Sequence, residues 1–255
     1  MDRLQRIVGG RPVGILLHGA SVKKMETGIQ DVAQGDVCWA SLNYFSLVER
    51  NILHRIEDRL SLVALFSEQS LPRRYNDILE FLQRKDDNLL ITSKFIMDKV
   101  PEYRKFIGSY LDKVYVAEGL PVKWEVARKA NSVALLLNEI IAAGVGEIDI
   151  FGMDGVRPSP TEEQEKESYY IANTIFQYNR YTSIGADTVD FNKAFPKVLG
   201  YWKQQGFAPN ITNYNPDSHI KVFPRKKWGG HGLRGVLERL GMAACSYLPL
   251  EIICS

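Results

Sequence analysis

Short unbroken apolar runs alternate along this chain with longer stretches of helical spacing. Val13–Leu17, Val37–Leu42, Leu60–Phe66 and Asn88–Thr92 are runs of strand length. Strands covered on both faces of a parallel sheet read this way, because neither face meets water. Between them, Val22, Met25, Ile29 and Val32 recur at helical spacing, as do positions in Phe45–Ile56. Ser70–Gln83 carries Tyr75, Ile78, Leu79 and Leu82 on one face, and Ser93 opens a helix reaching to about Tyr110. Val114–Val116 is a further short strand. Asn131 or Ser132 then caps a helix whose body, Val133–Ala143, is apolar almost all round, the mark of deep burial. Gly144 ends it, and Glu147–Phe151 is the next strand. Phe191–Gln205 is helical, with Pro196 inside it expected to kink or split it, and Ile211–Tyr214 is the last strand. Strands alternating with helices predict an α/β fold: a Rossmann-like, mostly parallel sheet flanked by helices.

The same pattern divides the chain. Residues 1–12 are a lead-in that closes on Gly9-Gly10-Arg11-Pro12, and residues 13–224 form the Rossmann-like domain. Residues 225–255 are a basic C-terminal tail with an amphipathic piece, Leu233–Leu240. A helical lid insertion is expected at about residues 156–186. Its sequence, Arg157–Arg180, is charged and then aromatic. Ser159-Pro160-Thr161-Glu162 has the cap, proline and glutamate of a helix start. Insertions between a sheet strand and the next core element often serve as lids. Tyr169 and Tyr170 lie within it.

Bulk composition narrows the classes. The 255 residues are 45% hydrophobic and 24% charged, the proportions of a soluble globular protein. A net charge of +2 gives no electrostatic reason to expect a nucleic-acid partner. Three scattered cysteines, Cys38, Cys245 and Cys254, share no metal-ligand spacing and fit a reducing compartment. Cys38 falls inside an apolar run and reads as a small core residue. The first residues lack the apolar core of a signal peptide, and no run reaches membrane-spanning length. A cytoplasmic protein is expected. The cluster Arg225-Lys226-Lys227-Trp228 adds one qualification: a basic, aromatic segment of this kind suits phosphates or a peripheral contact with an acidic membrane surface.

The candidate chemistry gathers where strands end. His18-Gly19-Ala20-Ser21 follows the first strand directly, and Ser21 is a good N-cap for the helix behind it. A tight strand-to-helix turn aims backbone N–H groups at the space above the strand, which suits an anion, most often phosphate. Asn43 arrives where the second strand ends. Ligands of open α/β sheets bind outside the carboxyl ends of strands. Neither GxGxxG nor GxxxxGK[ST] is present, so neither standard phosphate motif is met. Ser132, at a helix start, and Asp154, in the turn Gly152-Met153-Asp154-Gly155, both belong to ends that face a ligand side. Each residue type also has a purely structural use, as a helix cap and a turn aspartate.

Taken in order, these blocks resemble the bacterial sialyltransferases that use CMP-activated sialic acid. They also resemble the wider Rossmann-like family related to the 6-hydroxymethylpterin diphosphokinases. The matching pieces are GILLHGASVKKME, WASLNYF, NSVALLLNEIIAAGVGEIDIFGMDG and ITNYNPDSHIKVF, spanning about Val13 to Phe223. The resemblance implies a nucleotide at the first corner, with Asn43 and Ser132 on the CMP moiety and Gly19, Ala20 and Ser21 beside it. Asn131, Gly152, Asn215 and Ser218 fall in the same motifs and join the candidate substrate-binding residues. Lid tyrosines matching Tyr169 and Tyr170 would assist the departing phosphate, so no metal is needed. The chain departs from the pattern in two places. His18-Gly19-Ala20-Ser21-Val22 stands where the family prefers Asn-Gly-Pro-Ser-Leu. Arg180–Phe191 lacks the histidine that serves the family as base. His18, at the first turn, is the better-placed titratable group, and His219 follows the last strand.

The resulting expectation is a transferase: a glycosyltransferase, sialyltransferase-like, that takes a nucleotide-activated sugar donor and a glycan acceptor. It needs no cofactor, and His18 or Asp154 receives the acceptor's proton. The alternatives are a diphosphokinase-like phosphoryl transfer from ATP, with Mg²⁺ held by Asp154 and Asp36, and a nucleotide-binding module without catalysis.

Overall fold

The structure is a computed structural model that describes residues 2–17, 19, 21, 36–42, 59–66, 70–123, 131–155 and 182–227. Its centre is a sheet of seven strands: β1 Val13–Leu16, β2 Cys38–Leu42, β3 Leu60–Leu65, β4 Leu89–Ser93, β5 Val114–Ala117, β6 Glu147–Phe151 and β7 Asn210–Asn213. Their spatial order is β5-β4-β3-β2-β1-β6-β7, and every pairing is parallel. The chain first steps outward from β1 through β5 on one side. It then crosses back to lay β6 and β7 on the other side of β1. The order therefore reverses between β1 and β6. This is the α/β, Rossmann-like sheet that the apolar runs predict. β1, β2 and β3 are buried at every position, whereas β5, at the edge, is only partly covered.

Six helices flank the sheet among the described residues: α1 Arg3–Val8, α2 Ser70–Arg84, α3 Lys94–Lys99, α4 Pro101–Tyr110, α5 Ser132–Ala142 and α6 Thr182–Gln204. Side-chain alternation along β1 sorts them into two layers. Val13, Ile15 and Leu17 join the core built on α1, α5 and α6, while Leu16 joins the core built on α2, α3 and α4. Phe191 and Phe195 of α6 stack at 4.6 Å, and both meet Phe223 edge-on. On the other face, Trp39 of β2 lies across β1 and meets Phe151 at 5.7 Å. Gly14 makes room for it: a Cβ there would sit 2.6 Å from the indole ring.

Several local expectations change. Residues 1–12 are more than a lead-in: Asp2 and Gln5 form a capping box for α1, which buries Leu4, Ile7 and Val8. The helix expected from Ser93 to Tyr110 is two helices. Ser93 caps α3, and Pro101 opens α4 after Val100, an extended residue as the position before proline prefers. Pro196 does not split α6, which runs through it and starts at Thr182. Proline removes one backbone donor, freeing the carbonyl of Asn192, and the packed aromatic face holds the rest of the helix. The last residues assigned to the lid, 182–186, are thus the first turn of α6, and its earlier residues lie outside the described residues. So do the helices expected at Val22–Val32, Phe45–Ile56 and Leu233–Leu240. The boundary expected after residue 224 falls inside a paired stretch, because Arg225 bridges Asn213 in parallel.

Two buried groups carry predictions. Cys38 is a core residue whose thiol burial pushes up to about 11, so it stays neutral. Glu139 of α5 is buried and accepts from Tyr115 Oη at 2.9 Å and Asn138 Nδ2 at 3.1 Å. Desolvation still wins and raises its carboxyl above the ordinary glutamate value. Between the ordinary and the raised value the folded chain binds the extra proton, so stability falls as pH rises through that window. Urea unfolding of Glu139→Gln across pH 4–8 is expected to flatten this slope; an unchanged slope would contradict the assignment. Gly14→Ala is expected to cost about 1–3 kcal/mol by overpacking. The loss should shrink in a Trp39→Leu background, and an equal loss in both would show that the ring is not the obstacle.

Candidate functional site

Parallel sheets of this order bind ligands outside the carboxyl ends of the strands, at the point where strand order reverses. Here that point lies between β1 and β6. The two chains stay paired beyond the sheet: Leu17 N–H donates to Phe151 O, and Gly19 N–H to Gly152 O, both at 2.9 Å. Both glycines are required by this approach. A Cβ on Gly19 would overlap the Gly152 carbonyl and the Asp154 carboxylate. A Cβ on Gly152, whose φ is +75°, would overlap the Leu17 carbonyl.

Asp154 is the hub of the corner. Its Oδ2 accepts from Ser21 N–H at 2.8 Å, and its Oδ1 accepts from the Ser21 hydroxyl and from Asn215 Nδ2 at 2.8 Å. Its backbone carbonyl accepts from His219 N–H at 2.7 Å. One carboxylate therefore ties together the turns after β1, β6 and β7. A carboxylate has about four acceptor positions. Three are occupied by described residues, and among these residues one position on Oδ2 takes no further donor.

The loop after β7 is built on the same scheme. Ser218 Oγ lies 2.6 Å from Met153 O and 2.9 Å from Asp154 O, and accepts from Ile220 N–H at 3.0 Å. Asn215 Oδ1 accepts from Asp217 N–H, the local turn expected of Asn before Pro-Asp. Tyr214 stacks on Phe151 at 4.9 Å and fixes the start of the loop. Three residues complete it: two overlooked in the sequence, Asn192 and Asn213, and Arg225, marked there only as part of the basic cluster. Asn192 of α6 donates to His219 O and accepts from Lys221 N–H, holding the loop from the helix side. Asn213, fully buried, donates from Nδ2 to Met153 O at 2.9 Å. Its Oδ1 has no hydrogen-bond partner among the described residues. Arg225 donates from Nη1 to Ser218 O at 2.9 Å.

The structure thus brings Gly19, Ser21, Gly152, Asp154, Asn215 and Ser218 to one corner. Asn131 is the cap of α5, its side-chain oxygen taken by Ala134 N–H at 2.8 Å, and Ser132 is the first helical residue. Neither is hydrogen-bonded to the Asp154 network among the described residues. His18, Ala20, Asn43, Tyr169 and Tyr170 lie outside the described residues. The expected anion seat at the first turn takes a different form. Ser21 N–H, the turn donor that the described residues show facing this space, is occupied by Asp154, so the anion it meets is internal. A phosphate pressed within 4 Å of that carboxylate would meet a repulsion of about 4 kcal/mol at the dielectric of a protein surface. The corner suits donors, such as hydroxyls, better than anions. Asp36 needs correction as a companion metal ligand of Asp154. It sits at the amino end of β2 with Arg11 at 3.3 Å, across the length of the sheet. No group of three metal-ligating side chains occurs among the described residues.

Comparison of the chain with protein-family models, curated proteins and solved structures yields no match in any of the three. The corner's chemistry therefore stands on its own geometry.

Replacing Asp154 tests that geometry. Asp154→Ala strips an acceptor from Ser21 N–H, the Ser21 hydroxyl and Asn215 at once, and is expected to cost about 2–3 kcal/mol in urea unfolding. Ser21→Ala in the Asp154→Ala background should cost little more. Additive losses would mean the two side chains act separately.

Proposed function

We propose that the protein is a glycosyltransferase that binds a nucleotide-activated sugar at the β1–β6 corner. The observation that carries the proposal is the anchored Asp154 carboxylate, with one acceptor position not taken by any described residue, at the reversal point of an all-parallel sheet. A carboxylate at this point accepts sugar hydroxyls, ribose or hexose, as acidic residues do in other doubly wound folds. The motif order shared with the CMP-sialic-acid-dependent sialyltransferases adds the donor class. In such a transfer the acceptor's hydroxyl oxygen bonds to the anomeric carbon. The bond from that carbon to the donor's phosphate oxygen breaks, and its electron pair leaves with the nucleotide. The acceptor proton passes to a base. Asp154 supplies an acceptor for that hydroxyl, and His18 is the second candidate. Tyr169 and Tyr170 are the groups proposed to steady the departing phosphate.

Phosphoryl transfer is less well supported, because Asp154 and Asp36 stand at opposite ends of the strands, Asp154 after β6 and Asp36 before β2, where they do not share an ion. A peripheral membrane contact through Arg225, Lys226 and Lys227 remains compatible with a glycan acceptor on a lipid. No helix among the described residues is long and apolar enough to cross a membrane.

Thermal unfolding with a nucleotide panel tests the proposal. CMP at a hundredfold excess over its Kd is expected to add about 2.7 kcal/mol and raise the Tm without Mg²⁺. Asp154→Asn should abolish the shift while remaining folded. A shift seen only with ATP and Mg²⁺ would overturn the proposal in favour of phosphoryl transfer.

A further inference from the structure

If the anion position at the first turn is filled from within, the charged part of a phosphorylated ligand needs other partners. The segment after β7 supplies them. From Asn215 to Lys227 it carries four cations, Lys221, Arg225, Lys226 and Lys227, against the single carboxylate of Asp217. All four are exposed, and none has an ion-pair partner among the described residues. Like charges so close together repel, and no ion pair among the described residues offsets them.

The segment is nevertheless held in place beside the corner. Asn213 N–H donates to Pro224 O at 2.9 Å, and Lys226 N–H donates to Asn213 O at 3.0 Å. Arg225 thus pairs in parallel with Asn213 at the carboxyl end of β7 through a single isolated bridge. Its guanidinium, fixed on Ser218 O, has used one of five N–H donors. Ser218 in turn is hydrogen-bonded to the backbone of Asp154. Lys94 and Lys99 on α3 are basic side chains beyond another carboxyl strand end, that of β4. That strand lies three places from β1, roughly 14 Å away at ordinary strand spacing.

We propose that Arg225, Lys226 and Lys227 form a cationic rim that binds the phosphate-bearing end of a soluble ligand whose hydroxyls are held at Asp154. The rim divides the labour of the site: acceptor chemistry at the β1–β6 corner, donor and charge chemistry at the edge of β7. The ligand's nucleotide character rests on the function proposed above; the anion site does not.

Titration calorimetry on the full chain with inorganic pyrophosphate, CDP and cytidine tests it, at low and at physiological salt. Lys226→Gln/Lys227→Gln keeps the Arg225–Ser218 hydrogen bond and alters exposed side chains only, so folding is preserved. It should weaken pyrophosphate and CDP at least about tenfold and reduce their salt dependence, with cytidine unchanged. Lys94→Gln/Lys99→Gln should change neither. Pyrophosphate binding that depends on the rim, with no binding of cytidine and no gain for CDP over pyrophosphate, would keep the rim and sink the nucleotide assignment. Equal affinity for pyrophosphate and CDP in the wild type and the Lys226/Lys227 variant would overturn the rim. So would a wild type that binds neither, including one that binds only vesicles containing phosphatidylglycerol, which would assign the cations to a membrane surface.

Discussion

One carboxylate, that of Asp154, holds together the turns after β1, β6 and β7. Ser21 reaches it from the turn after β1, and Asn215 reaches it from the loop after β7. A hydrogen bond to a charged group is worth more than one between neutral groups, and three converge here. Remove the carboxylate and two loops lose their common anchor, and buried or half-buried donors lose their acceptor. The same arrangement decides the chemistry of the corner. The Ser21 donors of the first turn are taken by Asp154, so among the described residues the corner presents a carboxylate where a phosphate cradle was expected.

The sheet makes that convergence possible. Reversal of strand order between β1 and β6 brings residues about 130 positions apart into adjacent strands. Gly19 and Gly152 allow the two chains to remain in contact past the sheet edge. Below the corner, the packing is ordinary: a core on each face, with Trp39 over Gly14 on one side and the Phe191–Phe195–Phe223 cluster on the other. Asn192 connects the two levels, since it rides on the helix that carries Phe191 and Phe195 and grips the loop that carries His219. The site's geometry is therefore coupled to the α6 core.

Much of the fold was legible in the sequence because burial on both faces leaves unbroken apolar runs. β2, β3 and β6 appear within a residue or so of where those runs lie. The capped start of α5 at Asn131 was legible for a local reason as well, a polar cap before an apolar body. What was hidden depended on contacts distant in sequence. α1 is short, and its burial comes from the sheet it covers rather than from a long periodic pattern. The survival of α6 through Pro196 reflects tertiary packing that outweighs one lost hydrogen bond. Asp154 could be singled out as a residue at a strand end. Nothing local indicated that its partner would be Ser21, and hence that the first turn's donor would be occupied. Asn213 gave no signal at all, and Arg225 stood out only as part of a basic cluster: their places beside the corner arise from where the chain folds back along β7.

The central claim is that ligands engage the carboxyl ends of β1, β6 and β7 around Asp154. Amide hydrogen exchange of the full chain, with and without saturating CDP, measures this directly. Added protection is predicted in peptides covering Gly19–Ser21, Gly152–Gly155 and Asn213–Lys227, with β3 and β4 unchanged. Protection confined to the β4–β5 side of the sheet, or absent from all three turns, would contradict it.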